Sequence, residues 1–535
     1  MGRVHRGQRR LRRSAAAATT AIAMLALAGC GGDDGDESRP IPHQKFLSRP
    51  DLKPPAVEIT EGPAWSARRD AADEYIFLSP NYGTPTPQDG SLILDAAGEL
   101  VWMRPASDED PDDDPFDLRV QKYDGRDVLT VYEGPSEGGH GHGEVTVLDG
   151  SYEQIARVTT GGSLGPDEAD LHETTITEDG TMLLAAYVPT EADLTEVGGP
   201  ADGHVEDAVI QEVDIATGDV VFEWSALDHV PMTETMVDYA AEREEVAEDD
   251  EDDEDDEDPA VLGSAEEPFD YFHINSITVD DDGSLLVSAR HTHAVYRLDR
   301  STGAVDWTLG GSSSDFSLDE DAVFSWQHDA HRAPDGTLTL FDNHAHGGDD
   351  DESSRGLRLA LDEETMTAEV AAEYRPPEER VSSAMANAQQ LDDGGMLIGW
   401  GSRPYYSEYT ADGELIYDVC HGDECLDGDY DGGGGSYRAY ALEWQGRPTT
   451  DPDAMLTEEG GESAVHVSWN GATEVAEWRL TAGGDEAATV ARDGFETTIP
   501  VPDGADDAES LRVEALDDDG EVLGGTTPSE SADQE

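Results

Sequence analysis

The sequence predicts an all-β protein: a six-bladed β-propeller followed by a small fibronectin type III-like β-sandwich. Three observations lead to this fold class. A glycine turn followed by an alternating apolar strand occurs six times, the repeats lie about 50 residues apart, and from about residue 455 the chain changes to short strands that carry tryptophans. Repeats of this length that are built from short strands are typical of propellers.

The six repeats share an acidic-glycine turn, which supplies the positive φ that a tight hairpin needs. The strands that follow read SLIL, RDVLTVY, TMLLAAY, SLLVSAR, TLTLFDN and GMLIGWG, after Gly90, Gly125, Gly180, Gly283, Gly336 and Gly394. One step along the chain is double length, because it contains a charged insertion. Closing six such units into a ring leaves few exposed sheet edges. We therefore expect the propeller over residues 61–450.

The insertion and the C-terminal region have different compositions. Residues 242–258 read EREEVAEDDEDDEDDED, so we expect residues 242–262 to form an acidic, disordered insertion between repeats. Residues 455–528 contain alternating segments such as AVHVSW and TTIPV, with Trp469 and Trp478 facing inward. This pattern predicts the small fibronectin type III-like sandwich.

The N-terminus predicts export. Six arginines lie in the first thirteen residues, and an Ala-rich run over residues 15–28 is too short to span a bilayer. The run ends in Leu-Ala-Gly-Cys30, which resembles a bacterial lipobox and implies a lipid on Cys30 after removal of residues 1–29. Residues 30–60 then read as a flexible tether. We expect a protein anchored at the outer face of the cell membrane. An ordinary signal peptide with an incidental cysteine is the alternative, and the Sec or Tat route stays open.

Charge excludes some partners. The net charge is -89, so the chain cannot neutralise a nucleic-acid backbone or dock electrostatically on an anionic membrane. A surface with this net charge suits a high-salt medium, where dissolved ions screen the repulsion between its carboxylates. We also expect the protein to be a monomer. In an exported protein, the close pair Cys420 and Cys425 predicts a disulfide, with a metal or redox pair as the alternative.

Several of the sixteen histidines lie at related places in the repeats. His172, His273 and His328 lie just upstream of glycine turns, hence on innermost strands, which would converge near the axis of a propeller. Asn275 follows His273 by two residues, so both side chains face the same side of a strand. Arg290 ends the strand after its turn and could form a bidentate contact. Together they predict a pocket for a small oxyanion.

The motifs that carry these residues resemble a known family. FHINSI, LLVSARHTHAVYRL, WTLGG, FSWQHDAH, SRGLRLALD and GWGSRPYYSEY are similar to the bacterial arylsulfotransferases, in their shorter branch, over residues 75–445. The resemblance implies transfer of a sulfuryl group from a phenolic sulfate ester to a phenol through a sulfohistidine, without the nucleotide donor PAPS. The expected partners are therefore an aryl sulfate donor and a phenolic acceptor.

Carried over by position, the resemblance makes His328 the sulfated histidine and His172 the acid that protonates the leaving phenolate. The groups that it implies around the sulfuryl oxygens are Arg290, His273, Asn275, Asn387 and Gln389. Asp329 or Glu173 is expected to fix a histidine tautomer. The alternative function is a non-catalytic cell-surface propeller that binds a ligand or a protein.

We expect no cofactor and no metal in the catalytic site. The pairs His140/His142, His291/His293 and His344/His346 could each begin a metal site, but each lacks recognisable further ligands. An EF-hand-like loop begins at residue 427 and has Arg438 at its twelfth position, so the motif fails. Asp429 and Asp431 leave a structural calcium ion as an alternative.

Overall fold

The computed structural model describes residues 41–68, 73–107, 114–252, 261–344, 353–426, 433–502 and 510–530. Within them the chain is all-β with multiple sheets, as the sequence predicts. Residues 1–29, Cys30 and the calcium candidates Asp429 and Asp431 lie outside these ranges. Among the described residues, no helix has both the length and the apolar character needed to cross a membrane.

The first half of the chain supplies fourteen strands and two helices within the described ranges. The strands are β1 (Glu58–Glu61), β2 (Glu74–Asn81), β3 (Gly90–Leu94), β4 (Leu100–Pro105), β5 (Asp114–Tyr123), β6 (Arg126–Gly134), β7 (Ser136–Glu137), β8 (His140–Gly141), β9 (Glu144–Leu148), β10 (Gln154–Val158), β11 (Thr174–Ile176), β12 (Thr181–Ala192), β13 (Gly203–Asp214) and β14 (Val220–Ser225). The helices are α1 (Ala226–His229) and α2 (Tyr239–Asp252).

The remaining strands follow α2. Up to residue 443 they are β15 (Ile274–Val279), β16 (Leu285–Ala289), β17 (Ala294–Leu298), β18 (Val305–Gly310), β19 (Ser317–Leu318), β20 (His328–Arg332), β21 (Leu338–Asp342), β22 (Arg355–Asp362), β23 (Thr367–Tyr374), β24 (Asn387–Gln390), β25 (Met396–Gly399), β26 (Tyr405–Tyr409), β27 (Leu415–Cys420) and β28 (Gly435–Glu443). The C-terminal strands are β29 (Asp453–Glu459), β30 (Glu462–Ser468), β31 (Glu477–Ala482), β32 (Asp485–Ala491), β33 (Glu496–Pro500), β34 (Leu511–Leu516), β35 (Val522–Thr526) and β36 (Ser529–Glu530). Short 3-10 turns lie at Trp65–Ala67, Leu194–Glu196, Met232–Glu234, Glu320–Ala322 and Asp423–Leu426.

Apart from β7 and β8, which pair with each other, the strands up to β28 form six antiparallel four-stranded arrays that follow the chain. Their orders are β28-β2-β3-β4, β5-β6-β9-β10, β11-β12-β13-β14, β15-β16-β17-β18, β20-β21-β22-β23 and β24-β25-β26-β27, with β19 and β1 added to the outer edges of the last two. The first array is completed by β28, which lies at the far end of this region and pairs antiparallel with β2. The two ends of the region are therefore joined by a strand pair.

Side chains on the first strands of two arrays, β15 and β24, bond to the backbone of the next array. Asn275 Nδ2 donates to the carbonyl of Gln327 at 2.6 Å, and Asn387 Nδ2 donates to that of Ala439 at 2.8 Å. Thr278 and Gln389 form equivalent bonds, and all four bonds span 52 residues. Neighbouring arrays are thus one sequence repeat apart, which is how a repeat of this length produces adjacent sheets.

The C-terminal strands form two further sheets, β33-β30-β29-β36 and β32-β31-β34-β35. The inward side chains of both sheets share one apolar core, which includes Val465, Trp469, Trp478, Leu480 and Val513. Alternation along each strand places these residues on one face, as the sequence pattern predicts. This pair of sheets contacts the first array, where the Asn470 side chain bonds both the N–H and the carbonyl of Met103 at 2.9 Å.

The described part of the expected tether is packed against the rest of the protein. Phe46 lies 4.5 Å from Phe495, centroid to centroid, and Ser48 bonds Glu496 on the C-terminal pair of sheets. Strand β1 then pairs with β27. Residues 41–60 are therefore ordered rather than flexible, because they bury aromatic surface and complete a sheet edge.

The acidic insertion begins with regular structure. Residues 239–252 form α2, which Asp238 caps through its carboxylate and the N–H of Ala240 at 2.9 Å. Leu262, at the far end of the expected insertion, is buried in the core beside Tyr239. The part expected to be disordered is thus bounded by ordered residues, and residues 253–260 lie outside the described ranges.

Candidate active site

Four of the residues that the sequence singled out meet at one cavity of about 530 Å³, which is lined by His172, His273, Arg290 and His328. They reach it from the starts or ends of strands in three successive arrays. His172 lies two residues before β11 and His273 one residue before β15. Arg290 follows β16, and His328 begins β20. Equivalent positions in successive repeats therefore converge at one place.

His328 is held as a neutral imidazole with a defined tautomer. Its Nδ1 lies 2.8 Å from Asn343 Oδ1 and 3.1 Å from the Trp326 carbonyl, both acceptors, so Nδ1 carries the proton. Its Nε2 accepts the N–H of Met385 at 3.2 Å. Burial and the charge of Arg290 hold the pKa of His328 well below its ordinary value. The lone pair on Nε2 is thus available for nucleophilic attack once the N–H of Met385 is displaced.

The backbone around His328 is constrained. Trp326 and Asp329 have φ values of 55° and 59°, in the left-handed region that non-glycine residues rarely adopt. The guanidinium of Arg290 stacks over the Trp326 ring, with its Cζ 4.7 Å from the ring centroid. Arg290 donates further to the Ser383 carbonyl at 3.2 Å. Conformations of this kind concentrate at functional sites, where the surrounding structure enforces them.

His172 forms a dyad with Asp170. Its Nδ1 lies 2.5 Å from Asp170 Oδ1, while Asp170 Oδ2 accepts the N–H of Gly141 at 2.7 Å. Burial favours a raised pKa for the Asp170 carboxyl, but the charge and hydrogen bond of His172 outweigh it, and the pKa is lowered. An ionised Asp170 fixes the ring of His172 and stabilises its protonated form. Nε2 of His172 can therefore give and take a proton.

Asp270 organises three more imidazoles. Its Oδ2 lies 2.6 Å from His273 Nδ1, 3.3 Å from His140 Nε2 and 3.5 Å from His291 Nδ1. Despite the burial of this carboxyl, the charges of His291 and His273 hold its pKa well below its ordinary range. Burial lowers the pKa of His273 well below its usual value. A single carboxylate thus orients three imidazoles on this side of the cavity.

His140, Asp270 and His273 are also the described residues best placed to hold a metal ion. Their ligand atoms all lie within 4.8 Å of one another. Two imidazoles and one carboxylate suit a divalent transition metal. His273 and Asp270 are also hydrogen-bonded to each other at 2.6 Å, whereas Nδ1 of His140 has no hydrogen-bond partner among the described residues.

A buried ion cluster connects the neighbours of the two principal histidines. Arg438 lies 3.3 Å from Glu173, which follows His172, and 3.1 Å from Asp329, which follows His328. Asp117 and Arg119 complete the cluster. These ion pairs fix the two segments relative to each other. Glu173 therefore pairs with arginines, and Asp329 bonds His331 at 2.8 Å, so neither fixes a histidine of the cavity; Asn343, Asp170 and Asp270 do.

Three expected sulfate-binding residues lie elsewhere. Asn275, Asn387 and Gln389 do not line the cavity, and their side-chain amides bond the backbone of the neighbouring array. The repeat places them on innermost strands, as expected, but side chains on such strands alternate between the cavity and the adjacent sheet.

Cys420 and Cys425 form a disulfide.

Sequence reasoning missed Asp170, Asp270 and Asn343 and gave His140 and His291 only weak metal roles. A signal for two of them was present. Asp170 precedes His172 by two residues, and Asp270 precedes His273 by three, at matching places in successive repeats. A carboxylate placed so close before each cavity histidine is the pattern of an oriented imidazole. Asn343 carries no comparable local signal.

The family model described as "Arylsulfotransferase (ASST)" matches residues 119–422 of the chain. The match covers more than half of the chain, and it includes all the cavity residues named above. The chain belongs to the arylsulfotransferase family. No curated protein is similar to it in sequence.

The solved structures that resemble this member of the arylsulfotransferase family have low sequence identity to it and low TM-scores. A protein of unknown function from Bacteroides caccae is 11% identical, with coverage of 69% of this chain and 99% of its own and a TM-score of 0.38. Virginiamycin B lyase from Staphylococcus aureus is 10% identical, with coverage of 77% of this chain and 95% of its own and a TM-score of 0.31. Quinohemoprotein alcohol dehydrogenase from Comamonas testosteroni is 13% identical, with coverage of 74% of this chain and 61% of its own and a TM-score of 0.33. At these TM-scores none carries an inference about this chain.

Proposed function

We propose that this protein transfers a sulfuryl group from an aryl sulfate to a phenol through a sulfohistidine on His328, independently of PAPS. The observation that carries the proposal is the fixed tautomer of His328. Asn343 and Trp326 hold the proton on Nδ1, so Nε2 presents a lone pair inside the cavity that Arg290 and His172 share. A neutral imidazole is a competent nucleophile, and an imidazolium is not.

In the first half-reaction, Nε2 of His328 attacks sulfur while the bond between sulfur and the phenolic oxygen breaks. The leaving phenolate takes a proton from Nε2 of protonated His172, whose charge Asp170 stabilises. Arg290 faces the sulfuryl oxygens and stabilises the charge that they carry. His273 lines the same cavity, but its Nδ1–H is directed at Asp270, so its neutral ring offers no second donor. The products of this step are a free phenol and a sulfuryl group on His328.

In the second half-reaction, His172 is neutral and accepts the proton of an incoming phenol. The phenolic oxygen attacks sulfur, the bond between sulfur and Nε2 breaks, and His328 returns to its neutral form. The proton lost by His172 in the first step is regained in the second, so atoms and charge balance over the cycle. No cofactor is required by this scheme.

The proposed architecture follows from the same repeats. The six arrays would be the blades of a propeller, closed by the pairing of β28 with β2, and the two C-terminal sheets would form a fibronectin type III-like sandwich. Residues 1–29 would direct export, and Cys30 would carry a lipid that holds a monomer at the outer face of the membrane. The net charge of -89 supports a role in a high-salt medium.

Trapping the intermediate tests the function. The wild-type protein, mixed with 4-nitrophenyl sulfate and quenched under alkaline conditions, should release one equivalent of 4-nitrophenol and gain the mass of one SO3 on the peptide that contains His328. His328→Asn should show neither, whereas His466→Asn, in the C-terminal pair of sheets, should behave as wild type. A modified peptide elsewhere, or full transfer by His328→Asn, would contradict the mechanism. Tight binding of aryl sulfates without any release would instead favour the non-catalytic alternative.

A further inference from the structure

One carboxylate in the cavity wall, that of Glu206, has no hydrogen-bond or ion-pair partner among the residues that the structure describes. Glu206 lies on β13 opposite Pro189 of β12, and Ala208 is opposite Tyr187, so Glu206 and Tyr187 face the same side of the sheet. The residue is 8% exposed and lines the cavity. Asp270, which also lines the cavity, and Asp170, which precedes the cavity residue Leu171, are by contrast each bonded to an imidazole.

Such a group is unfavourable in the absence of a ligand. A carboxylate removed from water without a partner costs free energy. Burial raises the pKa of Glu206 to about 7, with the negative charges of Asp270 and Glu267 adding to the effect and His140 and His142 opposing it. The His140 charge is itself shared with Asp270, 3.3 Å away. A cation bound in the cavity would relieve this cost.

Glu206 lies away from the sulfuryl end of the cavity. The charged groups that act on His328 are Arg290 and His172, and none of them is among the principal charges that act on Glu206. Between the two ends stands Tyr187, whose ring centroid is 6.1 Å from that of His172 and 4.0 Å from that of His140. Along β13, Glu206 is displaced from the Tyr187 pair by two residues, or about 7 Å.

The middle of the cavity is suited to an aromatic ring. Phe116, Leu171, Tyr187, Met385 and Tyr437 contribute apolar or aromatic surface to its lining. Glu242, Glu266 and Glu267 also line the cavity, so part of its wall is acidic. The cavity thus has a basic end, an aromatic middle and an acidic wall with a buried carboxylate.

We propose that Glu206 binds the ammonium group of the acceptor, so that the preferred substrates are phenols with a short aminoalkyl arm. The inference rests on the proposed function, because it takes His172 to mark the position of the phenolic oxygen. A phenol with its oxygen at His172 and its ring beside Tyr187 would direct a para two-carbon arm toward Glu206. The ammonium would then pair with a desolvated carboxylate, where such contacts are strong.

The test compares phenols that differ in charge. With 4-nitrophenyl sulfate as donor, kcat/KM is measured for 4-(2-aminoethyl)phenol, 4-ethylphenol and 3-(4-hydroxyphenyl)propanoate. We expect the amine to exceed the ethyl compound by about tenfold or more, as expected for one additional charged contact, and the carboxylate to be the poorest acceptor. In Glu206→Gln the ratio of amine to ethyl should fall to about one, while Glu266→Gln, which changes an exposed carboxylate of the cavity lining, should keep the wild-type ratio.

Equilibrium binding separates this inference from the proposed function. Calorimetry with the same phenols and the same variants reports the ammonium preference even if no sulfuryl group is transferred. A wild-type ratio near one, or a ratio unchanged in Glu206→Gln, would overturn the ammonium site. Failure to form the sulfohistidine, with the binding preference intact, would contradict the proposed function alone.

Discussion

The side-chain oxygen of Asn343 lies 2.8 Å from Nδ1 of His328, and the orientation of this amide is fixed from its other end. Asn343 Nδ2 donates to the carbonyls of Ser382 at 2.8 Å and Met385 at 3.2 Å, so Oδ1 must face the imidazole. An amide can hold the proton on Nδ1 without adding negative charge. His328 therefore keeps its tautomer and its low pKa together, which a carboxylate partner would not allow.

Replacing this amide by a carboxylate should change the pH dependence of sulfation. In Asn343→Asp the new charge would favour the imidazolium and raise the pKa of His328. Protonated His328 cannot attack, so we expect the first half-reaction to slow as the pH falls from 8 to 5. Rapid mixing with 4-nitrophenyl sulfate measures this step.

The wild type and Asn470→Asp provide the comparison, since Asn470 bonds Met103 far from the cavity residues. Both should lack the additional protonation of His328 over this range. A pH profile of Asn343→Asp that coincides with that of the wild type would show that Asn343 does not control the imidazole.

Asp170 is expected to act through His172. Asp170→Asn removes the charge that stabilises protonated His172, so transfer should slow by about 100- to 1000-fold, within the range attributed to acid–base catalysis. The loss should be larger for donors with poor leaving groups, such as phenyl sulfate, than for 4-nitrophenyl sulfate, whose phenolate needs little protonation. Asp179→Asn, in an exposed turn, is the matched control. An equal loss for both donors would indicate a structural role only.

Asn387 should contribute to stability rather than to catalysis. Its amide bonds both the carbonyl and the N–H of Ala439, at 2.8 and 2.9 Å, and is fully buried. In Asn387→Leu both backbone groups lose a partner, so the free energy of unfolding should fall by about 2–4 kcal/mol. Denaturant titration measures it. Turnover per folded molecule should stay within about threefold, and a selective rise in KM for the donor would restore Asn387 to the substrate site.

His421 should make folding sensitive to acid. Burial lowers the pKa of His421 to about 3 in the folded protein, whereas the imidazole has its ordinary pKa of about 6.5 in the unfolded chain. Below pH 6.5 the unfolded state therefore binds a proton that the folded state does not. Between pH 7 and pH 5 this group alone should reduce the free energy of unfolding by about 2 kcal/mol.

The variant His421→Gln isolates that contribution. Its loss of stability between pH 7 and pH 5, measured by denaturant titration, should be smaller than that of the wild type by about the same 2 kcal/mol. His229→Gln, in which a largely exposed imidazole is removed, should retain the wild-type loss. Parallel curves for His421→Gln and wild type would show that His421 titrates normally in the folded protein.

The repeat explains why much of the site could be predicted. Glycine turns and alternating strands mark equivalent places in successive units, so His172, His273, Arg290 and His328 were recognisable as convergent before their distances were known. The same reasoning placed Asn387 and Gln389 on innermost strands but gave them the wrong surroundings. Position along a strand indicates which element carries a residue, whereas the choice between cavity and neighbouring sheet depends on the packing of adjacent arrays.

The sequence by itself determined the all-β class, the family and the principal histidines, because these depend on local turn chemistry and on motifs contiguous in the chain. Tertiary structure decided which groups act on those histidines. Asn343 reaches His328 across a strand pair, Arg438 reaches Glu173 from the far end of the region, and Glu206 meets the cavity only when β13 packs beside it. Tautomer, charge and specificity follow from contacts between distant segments, since electrostatic forces act through space and not along the chain.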